Sequence, residues 1–151
     1  MAGEDLGPSL WARGLGYGGL IPFVGLAAAH WLVQPSDLSF TSTALLGYGA
    51  TIVSFLGAIH WGLAMRQGPA QSLPALSWGV VPGLLGWIAL LLDRTQGLLL
   101  IAALLWACLA VDWMRYPRYR LQAWLPMRLW LTLVSSSSCL AAAIALSRPL
   151  P

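Results

Sequence analysis

Five long apolar blocks, separated by short polar breaks, dominate this sequence. They are residues Leu15–Val33, Ser42–Met65, Ala75–Leu92, Gly97–Trp113 and Leu129–Leu146. Each block has about the length that crosses a bilayer, roughly 17–25 residues. Backbone within hydrocarbon must satisfy its own hydrogen bonds, so blocks of this length are predicted to be helical. The pattern predicts an all-α, polytopic membrane protein whose transmembrane domain is a five-helix bundle.

The low charge content supports the same class. Only 9% of the 151 residues are charged and 58% are hydrophobic, whereas soluble domains average about a quarter charged residues. We therefore expect a short cytoplasmic segment over residues 1–14 and a transmembrane domain over 15–147. Glu4 and Asp5 are atypical of a signal or transit peptide, so the first block is expected to be a retained helix.

The arginines indicate an orientation. The chain has eight arginines and no lysine, all at or near the ends of apolar blocks. Alternating crossings place six of them on one side: Arg13, Arg66, Arg115, Arg118, Arg120 and Arg128. The positive-inside rule then predicts an N-terminus inside and a C-terminus outside. We expect this multi-pass protein in the bacterial inner membrane. The arginines form no stripe on a soluble face, so membrane lipids are expected partners and nucleic acid is not.

The longest break, residues 114–128, is predicted to be an interfacial loop on the inner side. Its apolar residues and its arginines fall on different faces of a helical projection. This pattern predicts a short helix lying in the interface, with Arg118, Arg120 and Trp124 at the lipid headgroups. The alternative is a solvated basic loop that only sets the topology.

His60 is an ionisable ring inside the second apolar block, on a helix rich in small residues. A polar side chain facing the bundle must find a partner there. Asp112 is expected at similar depth because the second and fourth helices both end inside. We predict an intramembrane polar cluster of His60 and Asp112, which Arg66 and Arg115 are near enough in sequence to join. The alternative is that Asp112 pairs only with Arg115, three residues on.

The remaining candidate ligands do not predict a metal or a cofactor. His30 lies near the outer end of the first helix and His60 near the inner end of the second. At a rise of 1.5 Å per residue, the two histidines differ in depth by roughly 20 Å. The two histidines are therefore not expected to share a haem or a metal, and His30 is expected to reach headgroup water. Cys108 and Cys139 lie within apolar blocks without Cys-x-x-Cys spacing, which favours two buried thiols.

Two apolar segments contain a proline between glycines, Gly19–Gly25 and Gly79–Gly86. Proline lacks a backbone donor and disturbs a helix interior. We therefore predict helix breaks at Pro22 and at Pro82 with Gly83. The similarity of the two segments fits either a duplicated hairpin or chance within an apolar alphabet, and chance is the simpler interpretation.

Several of these motifs occur together in a known family. The stretch YGATIVSFLGAIHWGLAM (Tyr48–Met65), the preceding GLIPF, and the RLWLTLV that begins the last helix resemble the DUF3429 family. The resemblance covers nearly the whole chain after the first ten or so residues. It implies a small five-helix membrane protein, bacterial or mitochondrial, of a family without an assigned function. It provides no catalytic residues to transfer.

Three classes of function remain open. The small size and the small-residue helix faces favour a non-enzymatic structural, assembly or accessory component of a membrane complex, with a membrane-protein partner or a second copy. The first alternative is an oligomeric proton, ion or small-solute channel or carrier that uses His60 and Asp112. The second is a quinone- or lipid-binding redox protein, for which the sequence presents no evident cofactor ligands.

Overall fold

The computed structural model describes residues 7–66 and 73–148, and the long elements within these ranges are α-helices. They are α1 (Leu10–Gly18), α2 (Leu20–Leu32), α3 (Leu38–Met65), α4 (Leu73–Leu91), α5 (Arg94–Arg115) and α6 (Leu125–Leu146). The helices α1 and α2 together form one span, so the described chain contains five helical spans long and apolar enough to cross a membrane. The predicted all-α, multi-pass architecture is confirmed at this level.

Most helices begin earlier than the apolar blocks do. The first span begins at Leu10, inside the segment expected to precede it, because the Ser9 hydroxyl accepts a hydrogen bond from the Ala12 amide. Likewise, α5 begins at Arg94, where the Asp93 carboxylate accepts hydrogen bonds from the backbone amides of Thr95 and Gln96. A side-chain acceptor at this position satisfies donors that the first helical turn leaves unpaired.

The last helix also begins about one turn early, at Leu125 instead of Leu129. Pro126 occupies its first turn, where a missing N–H costs nothing and the fixed φ favours the helix. Arg128 therefore lies inside α6, although the sequence pattern placed it at the end of a loop. This shift brings its side chain into the bundle.

Four helices enclose the core. The helix α2 packs between α3 and α6, α5 packs between the same two helices on the other side, and α4 covers the outer face of α3 and α5. The innermost side chains come mainly from α2, α3, α5 and α6, with Ala89 from α4, and include Phe23, Leu45, Val53, Ile101, Leu105, Cys108 and Cys139. The short helix α1 buries no residue fully and makes few contacts with the others.

The helices α3 and α4 approach closely along a seam of small residues. A Cβ atom added to Gly57 would lie 2.8 Å from the Gly79 carbonyl oxygen, and one added to Gly86 would lie 2.8 Å from Val53. Both distances are shorter than van der Waals contact, so these positions require glycine. Small residues allow helices to pack this closely where lipid supplies no hydrophobic driving force.

The two prolines have different local structures. Pro22 is the third residue of α2, and the helix is interrupted at Gly19, whose carbonyl accepts a hydrogen bond of 2.8 Å from the Tyr48 hydroxyl. By contrast, α4 continues through Pro82 and Gly83 without interruption. The interruption at Gly19 lies three residues before Pro22, and bends at Pro22 and at Pro82 stay predictions.

The segment between α5 and α6 does not form the predicted interfacial helix. It contains two 3-10 turns, Tyr116–Tyr119 and Gln122–Trp124. Arg120 between them has a φ of 58°, in the left-handed region, which ends any right-handed helix at that residue. Arg118 and Arg120 are exposed and Trp124 is half-buried. Within the polar break between the second and third apolar blocks, residues 67–72 lie outside the described residues.

Candidate functional site

His60 on α3 and Asp112 on α5 are in direct contact. The His60 Nε2 atom lies 2.8 Å from Asp112 Oδ1, and each residue is only 2% exposed. A carboxylate only accepts hydrogen bonds, so Nε2 carries the proton and donates. The predicted contact is found, and it joins two helices through residues that are 52 positions apart in the sequence.

Arg128 on α6 occupies the second oxygen of the same carboxylate. Its Nε atom donates to Asp112 Oδ2 over 2.7 Å, and the residue is 7% exposed. One carboxylate therefore ties α3, α5 and α6 together. Bonds in which both partners are ionised are shorter and stronger than neutral ones, and burial strengthens them further because little water screens the charges.

Tyr116 completes the surroundings of this group. It is 3% exposed, and its ring centroid lies 6.2 Å from that of His60. We refer to His60, Asp112, Tyr116 and Arg128 as the Asp112 cluster. The charges of Asp112 and Arg128 cancel within it, which is the condition under which ionised groups are tolerated away from water.

The two other arginines predicted to join this cluster lie elsewhere. Arg66 is exposed at the end of α3. Arg115 donates from Nη2 to the Pro74 carbonyl oxygen over 3.3 Å, which connects the end of α5 to the start of α4. Arg128 takes the place expected for them. Pro126 was the available signal, because proline in a first turn indicates a helix that already includes Arg128.

The expectation that His30 reaches headgroup water is wrong. His30 is 6% exposed, its Nδ1 lies 2.7 Å from the Leu26 carbonyl oxygen, and its Nε2 lies 3.0 Å from the Ser42 hydroxyl. The reason is the early start of α3 at Leu38, which places Ser42 within a helix that faces α2. His30 thus joins α2 to α3 at the opposite end of the bundle from His60.

The two thiols and the four consecutive serines at residues 135–138 lie within helices. Cys108 and Cys139 are buried and free. Ser138 donates to the Val134 carbonyl of its own helix, as serines within apolar helices commonly do. Ser136 accepts a bond of 3.1 Å from the Trp106 indole on α5. Within residues 7–66 and 73–148, no three His, Cys, Asp or Glu side chains are grouped to hold a metal ion.

A cavity of about 330 Å³ lies beside the Asp112 cluster, between α1, α2, α3 and α6. Its lining is mostly aliphatic and aromatic, with Tyr116, Arg128, Thr132 and Ser135 as polar members. Two buried polar atoms here, Arg128 Nη2 and Thr132 Oγ1, have no hydrogen-bond partner among the described residues. Most buried polar groups in folded proteins are paired, so two unpaired groups on one cavity require an explanation.

A second depression, of about 600 Å³, runs between α2 and α6 on the outside of the bundle. We call it the α2–α6 groove. Half of its ten lining residues are small, namely Ala27, Ala28, Ser137, Ser138 and Ala141, and the other half are Val24, Trp31, Trp130, Leu133 and Val134. Ala28 and Ser137 are exposed within it. The small side chains of this surface would allow a neighbouring lipid or helix to approach the backbone closely, and Ser137 adds a hydroxyl there.

Comparison with known proteins identifies the family. A family model described as "Protein of unknown function (DUF3429)" matches residues 9–144, a range that contains the Asp112 cluster. Transmembrane protein 69 of Xenopus tropicalis is 36% identical over 111 residues, which cover 70% of this chain and 43% of that protein. The chain therefore spans less than half the length of this relative. No solved structure matches the chain. This multi-pass helical membrane protein belongs to the DUF3429 family.

Proposed function

We propose that the protein is a non-catalytic accessory subunit that binds a helix of another membrane protein in the α2–α6 groove. It would reside in the bacterial inner membrane with its N-terminus inside, the orientation that the arginine distribution favours. The observation that carries the proposal is the exposed Ser137 in a groove half of whose lining residues are small. Small residues permit close helix approach, and a serine can bond across the contact.

The dimensions of the groove suit a helix. Its lining on α6 runs from Trp130 to Ala141, a length of about 17 Å at 1.5 Å per residue. The same face of α2 contributes Ala28 and, towards the end of the helix, Trp31. Tryptophan favours the boundary between lipid and water. A partner helix would therefore contact the groove over roughly half the thickness of the bilayer core.

The Asp112 cluster supports a scaffold role in this proposal. His60 and Arg128 occupy both oxygens of the carboxylate, and each member is deeply buried. A carrier that used His60 and Asp112 would have to break these bonds in every cycle and to replace them with bonds to its substrate. Because both carboxylate oxygens are already bonded, we infer that the cluster holds α3, α5 and α6 in fixed positions relative to one another.

Site-specific photo-crosslinking tests the proposal. A photoreactive residue at Ser137 in native membranes should form one discrete adduct with a different membrane protein. The same residue at Ala103, which is exposed on α5, should not form it. The adduct should disappear when A28L fills the groove and should persist with A103L, a matched substitution outside it.

Two results would contradict the proposal. An adduct between two copies of this chain would replace the accessory role with a homo-oligomer. Equal labelling from positions 137 and 103, or an adduct insensitive to A28L, would mean that the groove faces only lipid.

A further inference from the structure

The cavity beside the Asp112 cluster is large enough for a small amphiphile. Its volume of about 330 Å³ falls at the lower end of the range for ligand sites, roughly 300–1,000 Å³. Its walls are built by α1, α2, α3 and α6, with Leu20, Phe55 and Leu131 among the apolar members. An apolar chain would replace contacts with lipid tails by contacts with these side chains.

The polar wall of the cavity specifies a hydrogen-bond acceptor. Arg128 Nη2 carries N–H groups and cannot accept, and this nitrogen is buried without a partner among the described residues. Thr132 Oγ1, one helical turn further along α6, is also buried without a hydrogen-bond partner among the described residues. Both residues line the cavity. An oxygen atom that accepts from both groups would satisfy two donors that the protein itself leaves unpaired.

The charge balance indicates that this oxygen is uncharged. Asp112 already neutralises Arg128 through a bond of 2.7 Å. A carboxylate or phosphate would add an uncompensated negative charge in a site with little water, which is costly. A carbonyl oxygen accepts hydrogen bonds without that cost.

We propose that this cavity binds an amphipathic, lipid-soluble molecule whose uncharged carbonyl oxygen accepts hydrogen bonds from Arg128 Nη2 and Thr132 Oγ1. The carbonyl of a single-chain ester lipid and that of a quinone share this chemistry. The apolar chain lies along α1, the helix with the fewest contacts to the bundle. The site is separate from the α2–α6 groove, so it stands independently of the accessory role proposed above.

Binding to the full chain in nanodiscs tests the proposal. Nanodiscs of ether-linked phosphatidylcholine contain no lipid carbonyl groups that would compete for the site. Monoolein and decylubiquinone are the two neutral probes, and oleate is the anionic one. Binding is measured as the rise in the midpoint of thermal unfolding with the mole fraction of probe, since a ligand of the folded state stabilises it by mass action.

We expect saturable stabilisation by at least one neutral probe and a weaker effect of oleate. T132V has the same shape and lacks the hydroxyl, and it should weaken binding about tenfold. Without probe it should unfold like the wild type, because this hydroxyl has no partner to lose among the described residues. T51V is the matched control, since Thr51 is exposed on α3 and bonds to its own helix. A12F, which fills the cavity from α1, should abolish binding.

The response to the two neutral probes distinguishes the sources. Stabilisation by monoolein alone identifies an ester lipid, and stabilisation by decylubiquinone alone identifies a quinone. The proposal is overturned if neither neutral probe binds, if oleate binds more tightly than both, or if T132V binds the probes as T51V does.

Discussion

Arg128 Nε lies 2.7 Å from Asp112 Oδ2 inside the bundle, where both residues are more than nine-tenths buried. The other carboxylate oxygen accepts from His60. One acidic side chain thus satisfies two basic ones that come from different helices. Removing it would leave a buried guanidinium without its counter-charge, which is more costly than the loss of a neutral hydrogen bond.

The first prediction concerns this carboxylate. D112A should lower the free energy of unfolding by about 3–5 kcal/mol, the usual cost of stranding one partner of a buried ion pair. Titration with sodium dodecyl sulfate in detergent micelles measures it. D37A is the matched control and should change little, because Asp37 is exposed at the start of α3. An equal decrease in the free energy of unfolding in the two variants would show that Asp112 does not stabilise the bundle through this ion pair.

The second prediction concerns the seam between α3 and α4. G57A adds a Cβ atom that would lie 2.8 Å from the Gly79 carbonyl oxygen, so the helices must separate. We expect a loss of roughly 1–3 kcal/mol, as for other overpacked sites. The same substitution at Gly62, one or two turns along α3 and with open space at its Cβ position, should be neutral or stabilising. Thermal unfolding of both variants in detergent measures the difference, and a stable G57A would mean that the seam is looser than the structure has it.

The amino-acid sequence predicts the spans well because the thickness of the bilayer sets the length of a membrane-spanning helix. Each such helix therefore appears in the sequence as an apolar block of that length. It also predicts the contact between His60 and Asp112, since two helices that end on the same side place them at similar depth. It does not predict Arg128 as the third member. Arginines near the ends of apolar blocks ordinarily indicate topology, and only the start of α6 at Leu125 turns this one inward.

The same one-turn error explains His30. The apolar pattern predicts a helix that begins at its partner Ser42, whereas α3 already begins at Leu38. Helix ends depend on local caps and turns as well as on hydropathy, and they are the least certain part of such predictions. Polar residues near the ends of apolar blocks therefore can be assigned to lipid headgroups or to the bundle only when the caps are known.

The third prediction concerns orientation. A cysteine in place of Gln122, which is exposed between α5 and α6, should react with a membrane-impermeant maleimide only after the cell membrane is permeabilised. Cysteine at Gln96, exposed near the start of α5, should react in intact cells. The native Cys108 and Cys139 are buried and should contribute little labelling. The reverse pattern would place the arginine-rich end outside and would contradict the positive-inside interpretation.

The central claim is that the Asp112 cluster works as one unit that holds three helices together. A double-mutant cycle of H60A and D112A, measured by unfolding in detergent micelles, tests it most directly. Because both losses include the same hydrogen bond, the double variant should be more stable than the sum predicts by about 0.5–3 kcal/mol.

The matched cycle replaces H60A by H30A, whose histidine bonds to Ser42 and shares no contact with Asp112. It should be additive. Coupling in the first cycle and additivity in the second are the results that the structure predicts. Additive losses in the cycle of His60 and Asp112 would contradict it.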